Sequence, residues 1–213
     1  MRNRNNLILL LMSCFIAFNN ISLKAQSVKD IFNVDVPITY YGVDFSKGHY
    51  FGEIGTVDIN EMIDLTNKIN ELIVKEAPKY NVAAAIQRTE INTKTDLTLT
   101  ENASIDTKRF IVFSKDEDRL TEDAIKKTVA KYNVSGKGIG MVFMVDLMDK
   151  STTQTTVWVT FFNESNKKLL FTEKLTGKAG GFGFRNYWAR SFYNIINDMK
   201  TLKFKIWKAK YNK

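Results

Sequence analysis

The sequence predicts an α+β fold: an antiparallel β-meander in the C-terminal half, with helices packed on one face. Three observations predict it. Residues 139–148, 155–162 and 169–175 are consecutive runs rich in β-branched and aromatic side chains. The connections at 149–153 and 163–166 are short and polar, as hairpins require. Two earlier segments, from Asp58 to before Pro78 and over 121–131, carry apolar residues at helical period. Strands grouped together, with helices elsewhere, are the mark of this class.

Composition sets the frame. Of the 213 residues, 44% are hydrophobic and 25% charged, which suits a globular chain. Residues 1–25 read as a signal peptide. Arg2 and Arg4 open it, and an apolar run follows over 7–18. That run falls short of the roughly 20 residues a membrane span needs. Cleavage after Ala25 leaves Gln26 at the mature N-terminus. No second long apolar run follows, so no transmembrane span is expected in the mature chain. Cys14, the single cysteine, offers an alternative: Leu11, Met12, Ser13 and Cys14 loosely match a lipobox, which would make the protein an outer-membrane lipoprotein acylated at Cys14. Residues 26–36 are expected to be a linker, and 37–213 a single α+β domain.

Pro37 opens a strand over 38–45, where a missing N–H is tolerated. A loop through Gly48, Gly52 and Gly55 follows. Asp58 with Glu61 has capping-box spacing, and Ile59, Met62, Ile63, Leu65, Ile69, Leu72 and Ile73 form a wide apolar stripe behind it. Residues 82–86 fit either a helix or a buried strand. An exposed strand is expected near 96–100, and a better one at 110–113. The helix over 121–131 places Leu120, Ala124, Ile125 and Val129 on one face, and acids at its start suit the macrodipole. Residues 139–148 are apolar on both faces apart from Gly140 and Asp146, so that strand is expected to be central. A glycine turn at 177–183 then feeds a helix bearing Trp188, Phe192, Ile195 and Met199 on one side. Leu202, Phe204 and Ile206 alternate with Lys203, Lys205 and Trp207, so the end is a short strand or a fraying helix.

The formal charge is +8, and +5 without the first 25 residues. No acid follows Asp198, whereas Lys200, Lys203, Lys205, Lys208, Lys210 and Lys213 do. Such an end suits an anionic membrane or nucleic acid; its plainer reading is a solvated tail.

Few chemistries survive. His49 is the only histidine, no Gly-x-Ser-x-Gly elbow exists, and the lone cysteine lies in the leader. The usual zinc sets and a histidine-based triad are therefore not expected. Asp44 and Asp146, set in apolar strands, are either acids with raised pKa or satisfied structural groups, and the second is the plainer reading. No catalytic residue, cofactor or metal site is expected. The best candidate for ligand binding is the turn of Lys178, Gly180, Gly181, Gly183, Arg185 and Arg190, where helix N–H groups and cations would meet an anion. The competing reading is a tight strand-to-helix turn.

The segment 177–194, GKAGGFGFRNYWARSFYN, resembles a group of uncharacterised small exported proteins of Gram-negative bacteria. Residues 158–163 and 170–174 extend that resemblance. It implies export and supplies no activity. The order of elements also resembles envelope accessory domains of the TolB N-terminal and curli-secretion lipoprotein type. The expected function is a non-enzymatic binding or assembly module, periplasmic or secreted, with another envelope protein as partner and no nucleic acid. The alternative is a small anionic-ligand-binding protein or enzyme using the Gly180–Arg185 turn.

Overall fold

The structure, a computed structural model, describes residues 26–55, 58–116 and 119–213. The signal-peptide and Cys14 readings lie outside the described residues. Among the described residues, no helix is long and apolar enough to cross a membrane.

The chain alternates strands and helices from the start. A 3-10 turn at Val28–Phe32 buries Ile31 and Phe32. Then come β1 (Ile38–Asp44), β2 (His49–Phe51), α1 (Ile59–Lys75), α2 (Val82–Ala85), β3 (Asn92–Thr93), α3 (Asp96–Asn102), α4 (Thr107–Phe110), β4 (Ile111–Val112) and α5 (Glu122–Val129). The second half is β5 (Ile139–Asp149), β6 (Gln154–Asn163), β7 (Leu169–Lys178) and α6 (Phe184–Asp198). A π-helical turn at Met199–Lys203 leads into α7 (Phe204–Tyr211).

The sheet corrects the expected α+β class and its helices on one face. Four of the six strand pairings are parallel: β1 with β3 and β5, and β2 with β4 and β5. Among the described residues, the β5–β6 and β6–β7 pairings alone are antiparallel. The fold is α/β, with a mostly parallel, curled sheet. One edge of β5 takes β1 along Ile139–Met144 and β2 along Leu147–Asp149, while β6 occupies the other edge. Each parallel neighbour is reached through helices, as a parallel connection demands.

Helices consequently cover both faces. The larger core joins β1, β5, β6 and β7 to α1, α6 and α7 through Ile69, Phe143, Phe161, Trp188, Phe192 and Trp207. The smaller core, on the other face, joins Tyr41, Val142, Met144 and Phe162 to Ile125 and Val129 of α5. Every residue of β5 is buried, because both its faces and both its edges are covered. The exposed strand expected near 96–100 is instead α3, with Thr98 and Asn102 buried. The C-terminal end is helical, since Phe204 and Trp207 are buried one turn apart.

α6 lies very close to β7. A Cβ at Gly177 would stand 2.1 Å from the Ser191 carbonyl oxygen and 2.8 Å from Ile195 Cγ1, so no larger residue fits without separating helix and strand. Ser191 Oγ donates to Trp188 O at 2.6 Å and accepts from Thr155 Oγ1 of β6 at 2.8 Å, tying the helix to the next strand as well.

Candidate functional site

β3 pairs with Thr39 and Tyr40, and among the described residues no strand lies beside the outer edge of β1 beyond Tyr40. Side chains replace the missing strand. Thr98 Oγ1 donates to Tyr41 O at 2.6 Å. Asn70 Oδ1 accepts from Val43 N, and Asn102 Oδ1 from Phe45 N, both at 2.7 Å. These three residues are 1% exposed or less. Buried backbone groups need partners, and here α1 and α3 supply them. The strand is irregular between Tyr40 and Val43, where Gly42 takes φ +93°.

This arrangement fixes the loop after β1. Asp44 Oδ1 accepts from Ser46 N at 2.7 Å, and Gly48 N donates to Phe45 O at 2.9 Å. The other Asp44 oxygen accepts from the buried Tyr132 hydroxyl, beyond the end of α5. Burial first, then the charge and hydrogen bond of Asp44, push the Tyr132 hydroxyl well above its ordinary pKa. His49 is 7% exposed, and its Nδ1 lies 2.7 Å from Arg109 O. A carbonyl only accepts, so Nδ1 is the donor in this contact.

A second anchor holds the start of α5. Asp146 sits where the β5–β6 register shifts, between Val145 and Leu147. Arg119 grips it through two hydrogen bonds, and Leu120 N donates to it at 2.8 Å. Lys174 Nζ lies 3.2 Å away. Burial alone would raise this carboxyl. The hydrogen bonds from Arg119 and Leu120 and the charges of Arg119 and Lys174 outweigh it and hold the carboxyl below its usual range. Asp146 is thus a satisfied structural carboxylate, as its plainer reading had it.

Between the β1–β2 loop, residues 101–110 and residues 119–131 lies a cleft of about 530 Å³. It opens beside the C-terminal end of β1, the place where open α/β sheets hold ligands. Its volume suits a small molecule. Lys47, Lys127 and Lys131 line it and form no ion pair with any described residue. Ser46 contributes a buried hydroxyl with no hydrogen-bond partner. Glu101 faces the same space. Its carboxyl is raised by burial and by the charge of Asp44, against a smaller opposing pull from Lys47.

The turn singled out from the sequence is elsewhere, at the far end of β7. Lys178 is exposed, and its carbonyl accepts from Asn194 Nδ2 at 2.7 Å. Gly180 N donates to Tyr187 O at 3.0 Å. Gly181 and Gly183 take positive φ, and Gly183 caps α6. Arg185 Nε donates to Asn186 Oδ1, and Arg190 lies over the Tyr193 ring at 4.8 Å. Phe182 points into solvent, 95% exposed, while Phe184 packs toward Tyr50 and Trp188. None of these six residues lines the cleft. Sequence reasoning missed the cleft, although Ala124, Lys127, Thr128 and Lys131 repeat at helical spacing opposite the buried Ile125 and Val129.

Among the described residues there is no group of three or more His, Cys, Asp or Glu able to hold a metal ion. No protein-family model matches the chain, and no curated protein or solved structure matches it either.

Proposed function

We propose that this is an exported binding module, not an enzyme, and that it holds a small anionic ligand in the cleft beside β1. The observation that carries the reading is that Lys47, Lys127 and Lys131 line one concave space without an ion pair to any described residue, although Glu101 and Asp106 line it too. All three are exposed side chains bordering the cleft, and an anion placed in it would attract each of them. The unpaired Ser46 hydroxyl is a further donor for such a ligand. The neighbouring polar groups are already committed, Asp44 to Ser46 and Tyr132, and Asp146 to Arg119 and Leu120. That favours a rigid receptor over a reacting centre.

Thermal shift and calorimetry with inorganic phosphate, citrate, a hexose phosphate and the neutral hexose test the reading. At least one anion is expected to raise the melting temperature saturably, by the equivalent of about 2.7 kcal/mol at a hundredfold excess over Kd. The neutral sugar should do nothing. In a Lys127→Gln/Lys131→Gln variant the effect should be lost. Equal responses from variant and parent, or no response to any anion, would reject the site.

A further inference from the structure

We propose that the outer face of α7 is a docking surface for an anionic phospholipid bilayer. The inner face is already occupied. Trp207 and Tyr211 pack on Phe171, with ring centroids 5.0 and 5.4 Å apart, and Phe204 packs on Phe32 at 5.3 Å. Turned away from these are Leu202 and Ile206, 51% and 49% exposed, with Ala209 exposed one turn on. Ile206 and Ala209 share one side of α7, and Leu202 adds an exposed apolar side chain in the π-helical turn that leads into it. Lysines lie to both sides: Lys205 and Lys208 on one, Lys210 on the other, with Lys203 in the preceding turn.

The charge is one-sided. No acid follows Asp198 in the sequence. Among the described residues, the ion pair recorded on this segment is Lys203 with Glu173, at 3.9 Å. An apolar side with lysines to both sides is the pattern of a helix lying in the plane of a membrane interface. The lysine stems extend along the boundary while their ammonium groups reach the anionic headgroups. A free polyanion such as nucleic acid would use the lysines and leave Leu202 and Ile206 unexplained, so these side chains select the lipid surface. Because α7 is pinned by its inner face, docking would set the orientation of the whole sheet above the membrane. The inference is independent of the cleft, which involves none of these residues.

Flotation of the purified protein with vesicles decides it. Three proteins sharing one N-terminus are compared: the parent, Leu202→Ser/Ile206→Ser, and Lys205→Glu/Lys208→Glu/Lys210→Glu. Each is checked by circular dichroism for an unchanged melt, as expected for exposed positions. The parent should bind phosphatidylglycerol/phosphatidylcholine vesicles and lose at least tenfold in affinity on pure phosphatidylcholine or in high salt. The lysine variant should lose at least a hundredfold, since each lysine near such a surface contributes about fivefold. The Ser variant should lose severalfold. Equal binding by all three overturns the proposal, as does failure of the parent to bind. If the lysine variant alone weakens, and parent and Ser variant bind double-stranded DNA as well as lipid, the face is a general polyanion surface and the lipid assignment falls.

Discussion

Asn70 grips Val43 by both backbone groups: its Oδ1 accepts the Val43 N–H at 2.7 Å, and its Nδ2 donates to the Val43 carbonyl at 2.8 Å. One amide thus does the work of a neighbouring strand. Leucine has the same branching and heavy-atom count, with no polar atoms. Asn70→Leu is therefore expected to cost about 2–4 kcal/mol, the penalty for leaving buried backbone groups short of partners. Urea denaturation measures it. A loss under about 1 kcal/mol would mean that β1 does not depend on this contact.

Gly42 should be still less replaceable. It combines φ +93° with a Cβ position 2.5 Å from Asn70 Oδ1 and 2.8 Å from Thr98 Oγ1. Gly42→Ala is expected to cost about 2–4 kcal/mol through strain and displacement of both side chains. Gly180, with open space around it, is the control. Gly180→Ala should change stability by less than about 0.5 kcal/mol. Similar melting temperatures for the two variants would refute the account of the β1 edge.

The Asp146–Arg119 pair makes a prediction about acid. The Asp146 carboxyl is held low in the fold, so it stabilises fully above the unfolded value of about 3.9 and loses that contribution as pH falls through its folded value. Asp149, held low in the same way by Lys115, Ser151 and Thr152 against the effect of burial, adds to the loss. Stability should fall steeply below about pH 4. Asp146→Asn should cost about 3 kcal/mol at neutral pH and flatten the acid limb. Parallel pH–stability curves for variant and parent would contradict this.

Glu101 has the opposite sign. Burial first, and then the nearby Asp44 charge, raise its folded value. The native state therefore binds that proton more tightly than the unfolded chain. Ionisation weakens the fold as pH rises above about 4.3, the unfolded value. Glu101→Gln should raise the melting temperature at pH 7 and leave it unchanged at pH 3.5. A destabilised variant at pH 7 would show that the carboxylate makes a favourable contact in the cleft.

Local pattern was legible in the sequence; pairing partners were not. The α1 stripe and its Asp58 cap were readable because both are set by neighbours within one turn. The apolar run of β5 was readable because burial on both faces leaves no alternation. The parallel pairings were hidden because β3 and β4 are two residues each and β2 is three, too short to carry a period. Without them the three long C-terminal strands suggested a meander. The cleft was hidden for a related reason. Its Lys47, Glu101 and Lys131 come from three separate segments and meet only through the sheet. The lysine spacing on α5 was visible, yet a solvated face gives the same spacing.

The pairing of Ile38 with Ile139 and of His49 with Leu147 has a consequence for how the chain comes into being. Before β5 has left the ribosome, β1 and β2 can pair only with the two-residue strands β3 and β4. Until then the chain can collapse but cannot close its sheet, because the central strand is missing. A protein built in this order stays threadable through most of its own synthesis. Late closure of the sheet thus follows from strand order alone.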